Sequence, residues 1–202
     1  MTFSVADIPA ASFVVEPPER VDLEKYDTAS ASLLDPNRAE IVALDASIDA
    51  DAGTVTVEPP TESPFETSGI YRLRVTLTGT GTRATLPDLR IVVQDPASEW
   101  HTLDSLRDDW TDAEDISDVM LWSVLELARE QVLEFAPVVA VDDPVPSRYV
   151  DAQRIQARNI VTAGRVSPDG GSGEGDFVIR PFPLDWHVRQ ILRPKSARPV
   201  IA

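Results

Sequence analysis

Few side chains in this sequence are equipped for covalent or metal chemistry. There is no cysteine, and the two histidines, His101 and His187, stand far apart. Disulfides and thiolate metal sites are excluded, and no His cluster has ligand spacing. The 34 Asp and Glu residues supply many carboxylates, but no pair among them stands out as an acid and a base. No Ser-His-Asp ordering with supporting motifs is present either. The stretch "SPDGGSGEGD" (167–176) is glycine-rich and reads as a flexible loop. It is not a phosphate loop, because no Gly-Lys-Ser/Thr follows and Glu174 and Asp176 would repel phosphate. We therefore expect no catalytic residue, no cofactor and no metal. What remains is the chemistry of docking. From Phe182 the chain reads "FPLDWHVRQILRPK" and then "SARPVIA", a basic, aromatic-anchored stretch in an acidic protein.

The charge is unevenly placed. Residues 147–202 carry 9 Lys+Arg and 5 Asp+Glu, a balance of +4, and residues 1–146 carry 9 and 29, a balance of -20; together they give the formal -16. A split of this kind marks two surfaces with different partners, although acidity alone also serves solubility.

The elements that must position these residues differ between the two halves. In the first half, "YRLRVTLTG" puts Tyr71, Leu73, Val75 and Leu77 on one face of a strand and Arg72, Arg74, Thr76 and Thr78 on the other. "GTGT" (79–82) reads as a hairpin turn, and "ATLPDLRIVVQ" as a returning strand interrupted at Pro87 and Asp88. Shorter strand candidates are 12–16, 21–34, 39–44 and 54–58, separated by turn signals such as Pro17-Pro18 and Pro59-Pro60. Short strands with regular turns predict a sandwich. Tyr71, two residues before inward Leu73, matches the tyrosine corner of immunoglobulin-like domains.

The period changes in the second half. "TDAE" (111–114) has capping-box spacing and predicts a helix from there to about Phe135, stopped by Pro137. One half of its wheel holds Ile116, Met120, Leu121, Val124, Leu125, Leu127, Ala128 and Val132. Val119, Trp122 and Leu133 lie on the polar half and predict a second buried surface, either between subunits or within the chain. A second helix runs from Ser147 to Gly164, with Tyr149, Ala152, Ile160 and Ala163 inward and Arg154, Arg158 and Arg165 in a stripe. That stripe is a solvated face with Asp151 as local partner, or a contact to an acidic neighbour or to DNA phosphates. "FVIRPF" (177–182) reads as a short strand. Asp185 caps a third helix of about eight residues, "WHVRQILR", ended by Pro194, with Trp186, Val188, Ile191 and Leu192 as its apolar side. So short a helix needs a surface to lie on. The sequence after it joins proline-restricted backbone to positive charges and an apolar end, as an extended arm does.

The combination "WSVLELAREQVLEFAP", "RYVDAQRIQARNIV", a Gly-rich loop and "FPLDWHVRQILRPK" resembles the head-to-tail connector (adaptor, or head-completion) proteins of long-tailed double-stranded DNA bacteriophages, those infecting actinobacteria above all. The resemblance covers roughly residues 104–202. It implies a helical adaptor that forms a ring, typically dodecameric, beneath the portal protein. The ring extends the DNA channel without sequence-specific binding and presents a face to the next neck or tail-terminator protein. It implies too that Phe182, Leu184, Trp186, Arg189, Arg193, Lys195, Arg198 and Ile201 form an arm that docks on the portal. Val119, Trp122, Leu133, Arg154 and Arg158 are the candidate contacts between subunits.

The expected fold class is α+β multidomain: an immunoglobulin-like β-sandwich (1–98), a helical adaptor core with the Gly-rich loop (99–181), and a C-terminal docking helix and arm (182–202). A tail-terminator or other neck-ring role, or a decoration or host-binding role for the first domain, is the alternative. The N-terminus "MTFSVADIPA" lacks a basic region and apolar core, and no apolar run is long enough to span a bilayer. The expectation is synthesis in the host cytoplasm and a final place in the virion neck.

Overall fold

The computed structural model describes residues 1–140, 143–165 and 183–193. The chain divides into two compact units, Met1–Pro96 and Ala97–Ala202. The fold is α+β: the described residues of the first unit form eight strands and those of the second four α-helices.

In the first unit the strands are β1 (Thr2–Ser4), β2 (Phe13–Val15), β3 (Thr28–Leu34), β4 (Glu40–Asp49), β5 (Thr54–Val57), β6 (Gly69–Gly79), β7 (Thr82–Thr85) and β8 (Leu89–Gln94). They pair in one mixed sheet of order β1-β8-β6-β3-β4-β5-β2, with β7 also on β6. Only β1 and β8 pair parallel. The long β4 pairs with β3 through Glu40–Ala46 and with β5 through Ala46–Asp49. This stagger lets the sheet curl, so that Phe13 and Val57 from one end share a core with Leu73 and Ile91 from the other.

The alternation predicted for β6 is present. Tyr71, Leu73, Val75 and Leu77 are buried, and the residues between them are not. Tyr71 Oη donates to Thr67 O at 3.0 Å and accepts from Thr67 N at 3.3 Å, the backward bond of a tyrosine corner. The break at Pro87 and Asp88 separates β7 from β8, and both run along the same side of β6. Asp88 is clasped across that break by Arg74, through Nε at 3.1 Å and Nη2 at 3.2 Å. The segment 21–34 is not one strand: Leu23–Lys25 forms a 3-10 turn, capped by Asp22, that buries Leu23 before β3 begins.

In the second unit the helices are α1 (Leu103–Asp109), α2 (Asp118–Phe135), α3 (Ser147–Arg165) and α4 (Trp186–Leu192). The expected capping box at Thr111–Glu114 is corrected. Thr111–Ala113 is a 3-10 turn that buries Ala113, and α2 starts after Ser117. The turn is held from outside, since Arg107 Nη2 donates to Ile116 O at 3.1 Å and pairs with Asp118 at 2.8 Å. The capping box lies one helix earlier: Ser105 N donates to Thr102 Oγ1 at 3.2 Å and Thr102 N to Ser105 Oγ at 2.9 Å. The α3 helix continues through Gly164 to Arg165. The strand at 177–182, the Gly-rich loop, Phe182, Lys195, Arg198 and Ile201 lie outside the described residues.

Candidate functional site

The site expected to dock is built on α4, and its local logic is simple. Asp185 accepts from Val188 N at 2.8 Å and closes the first turn. Its other oxygen accepts from Asn159 Nδ2 on α3 at 3.0 Å, so one carboxylate starts the helix and ties it down. Val188 and Leu192, four apart on one face, are fully buried in a cluster with Val132, Tyr149 and Ala152 from α2 and α3. The marginal helix therefore finds its surface on its own chain. Arg189 and Arg193 lie over the Phe135 ring, 5.7 and 4.7 Å from its centre.

Trp186, expected on the docking face and grouped by type with the apolar side of the helix, is 73% exposed. Of that apolar side, Val188, Ile191 and Leu192 pack on the core and Trp186 does not. It sits about half a turn round the helix from Val188 and Leu192, and Arg189 and Arg193 follow on its own side. Beside this face is a shallow cleft of about 330 Å³, lined by Gln131, Glu134, Phe135, Pro183, Leu184 and Arg189. Leu184 is half-buried against the α2–α3–α4 core.

The expected subunit contacts divide. Trp122 is buried within the chain and keeps little surface for a neighbour. The reason is geometric: α1, α3 and α4 all contact α2, so its buried arc is wider than half a wheel. Val119 is half-buried and Leu133 is 50% exposed. Arg154 is engaged locally, pairing with Asp151 at 3.5 Å and Asp109 at 3.9 Å. The Arg158 guanidinium lies 5.7 Å from the Trp110 ring centre. Both arginines thus fasten the end of α1 to α3. Asp104, Asp108, Asp109 and Asp112 are all exposed.

Sequence reasoning missed the buried amides of α3. Gln153 is 1% exposed; its Oε1 accepts from His101 N at 3.1 Å and its Nε2 donates to Leu125 O at 3.2 Å. Gln156 donates to Gln131 Oε1 at 2.6 Å. These residues hold α2 and α3 in register. No periodicity signal marks them, because their partners lie on other elements.

Burial holds His101 below its usual range, so it is neutral at pH 7, with Nδ1 3.1 Å from Ser105 Oγ. Glu126 on α2 moves the other way. Burial raises its pKa, Glu130 adds to the rise, and Arg129 at 3.8 Å opposes it. A carboxyl raised in this way favours folding only while protonated. That contribution is complete below its ordinary value of 4.5 and is lost as the pH climbs through the raised one. Glu126→Gln is therefore expected to raise stability at pH 7 and to give no gain at pH 4. The gain is roughly a few tenths of a kcal/mol, because solvent screens a half-exposed side chain. Urea midpoints at the two pH values, at micromolar protein, check it. An equal difference at both would mean that ionisation of Glu126 is not the cause.

No helix among the described residues is long and apolar enough to cross a membrane. No protein-family profile matches the chain, and no curated protein matches it. Among solved structures it is similar to the crystal structure of CopC from Methylosinus trichosporium OB3b. The identity is 17%, over 49% of this chain and 89% of that one, with a TM-score of 0.31. A likeness at that score carries no argument about what this chain binds.

Proposed function

We propose that this chain is a head-to-tail adaptor of a double-stranded DNA bacteriophage, a structural virion protein rather than an enzyme. In this reading the β-rich unit is an immunoglobulin-like module carried on the outside. The helical unit joins copies of itself in a ring, typically of twelve, between the portal protein and the next neck protein. DNA passes through without sequence-specific contacts, helped by acidic residues that do not hold phosphate.

The observation that carries the reading is the seating of α4. A seven-residue helix is locked by Asp185 to α3 and by Val188 and Leu192 to the core. It thereby gives a fixed base to the sequence that follows, in which Lys195, Arg198 and Ile201 combine charge with an apolar end. A docking arm needs such a base, because loose anchorage adds ordering entropy to every contact. The family resemblance of residues 104–202 and the charge split support the same reading.

The test is portal binding. Full-length chain and a version ending at Arg193 are mixed with portal rings of the parent virus and viewed by electron microscopy. A cut before α4 would be uninformative, since it removes Val188 and Leu192 from the core. The full chain is expected to add a ring beneath the portal and the shortened one to add none. Equal binding would move the arm to another partner, and no binding by either would end the adaptor reading.

A further inference from the structure

Two faces of the helical unit are unlike and complementary. The first is the outward side of α4. Trp186 is 73% exposed, and exposed Arg189 and Arg193 lie beside it, steadied by Phe135. Trp and Arg are the residue types that most often dominate protein–protein contacts. The second face is on α2. Glu126, Glu130 and Leu133 fall four and three residues apart and form one stripe. Leu133 is 50% exposed and Glu130 is exposed.

The two faces do not overlap. The cleft beside α4 uses Gln131, Glu134 and Phe135 of α2. Glu126, Glu130 and Leu133 share no residue with it and face away from Phe135, adjoining the cleft only at Glu134. A chain with a cationic aromatic patch on one flank and an acidic, leucine-bearing stripe on another is built to meet a copy of itself head to tail. The charge distribution agrees: residues 97–146 carry 2 Lys+Arg and 13 Asp+Glu, while residues 147–202 carry 9 and 5. Glu126 has one cation beside it, Arg129 at 3.8 Å, which offsets burial and the Glu130 charge only in part, so a second cation favours its ionised form further.

We propose that the outward face of α4 docks on the Glu126–Glu130–Leu133 stripe of a second copy of this chain, with Trp186 against Leu133 and Arg189 and Arg193 facing the two glutamates. The contact is heterologous, so it propagates from copy to copy and closes only where the rotation allows. It rests on the ring reading, for which it supplies the subunit contact. It also gives Trp186, Arg189 and Arg193, which the family resemblance assigns to the portal arm, a different partner. Portal binding stays on the residues after Arg193, where the proposed function puts it.

Sedimentation of the full chain tests it. At low salt, self-association is expected to grow with concentration up to about 1 mM, where a contact of about 4 kcal/mol shows. It should weaken as salt screens the charges. Trp186→Ala and Glu130→Arg, both on exposed side chains, are each expected to weaken it at least about tenfold. Reversing Arg189 and Arg193 risks the fold through Phe135, so circular dichroism accompanies Arg189→Glu/Arg193→Glu. That variant and Glu126→Arg/Glu130→Arg should each stay monomeric alone and associate when mixed. A wild-type chain that remains monomeric at low salt overturns the contact, as does association indifferent to Trp186→Ala and Glu130→Arg. Either result leaves the portal experiment free to succeed or fail separately.

Discussion

Gly79→Ala is expected to destabilise the β-rich unit by about 3 kcal/mol or more, a large part of what a domain of this size holds in reserve. The cause is a backbone contact. A methyl group on Gly79 would lie 2.1 Å from Lys25 O and 3.1 Å from Tyr26 Cα. No rotamer change relieves it, because the obstacle is main chain in the 3-10 turn Leu23–Lys25. That turn cannot simply retreat. Leu23 is buried in the sheet core, and Asp27 N, just beyond it, donates to Thr78 O at 2.9 Å. Moving it off β6 loses both. Gly53 supplies the control: it has φ +69, but nothing lies within 4 Å of its added methyl. Gly53→Ala should therefore cost only about 1 kcal/mol of backbone strain. Urea unfolding followed by circular dichroism compares the two. Equal losses would mean that the close approach is not what requires glycine at position 79.

The same contact shows where the sequence is legible and where it is not. The period of β6, the Tyr71 corner and the break at Pro87 are local patterns, and each is present in the structure. The Asp185 cap and the inward Val188 and Leu192 are equally local. What escapes a reading of the sequence are consequences of distant partners. Strand β1 is three residues long and exists through parallel pairing with β8, which no alternation announces. Thr111–Glu114 has the spacing of a capping box, but Arg107 pins a 3-10 turn there. For the Arg154 and Arg158 stripe the local partner Asp151 is legible in sequence, whereas Asp109 and the Trp110 ring, at the end of α1, are not. Trp186 is inward by its apolar type alone, whereas its place in the turn points it away from Val188. In the candidate site the anchor and the outward residues Trp186, Arg189 and Arg193 are therefore both visible from sequence, whereas the Phe135 ring beneath the two arginines is not.

Leu192→Ala is expected to cost the helical unit about 2–5 kcal/mol, the range for emptying a fully buried leucine site. Leu192 has 0% exposure and packs with Val188, Val132, Tyr149 and Ala152. The hole opens beneath a helix of only seven residues, which has no length with which to persist alone. Much of the loss should therefore appear as detachment of α4, with Asn159 and Phe135 losing their partners on it. The four tryptophans of the chain, at 100, 110, 122 and 186, all belong to the second unit. Tryptophan fluorescence consequently reports this unfolding and is silent on the sheet. The expected record is a lowered fluorescence midpoint in urea. Portal binding by Leu192→Ala should fall along with it, even though residues 194–202 are intact. A variant that keeps its midpoint would show that α4 contributes little to the core. A variant that loses the midpoint and still binds the portal would show that the arm does not need its base.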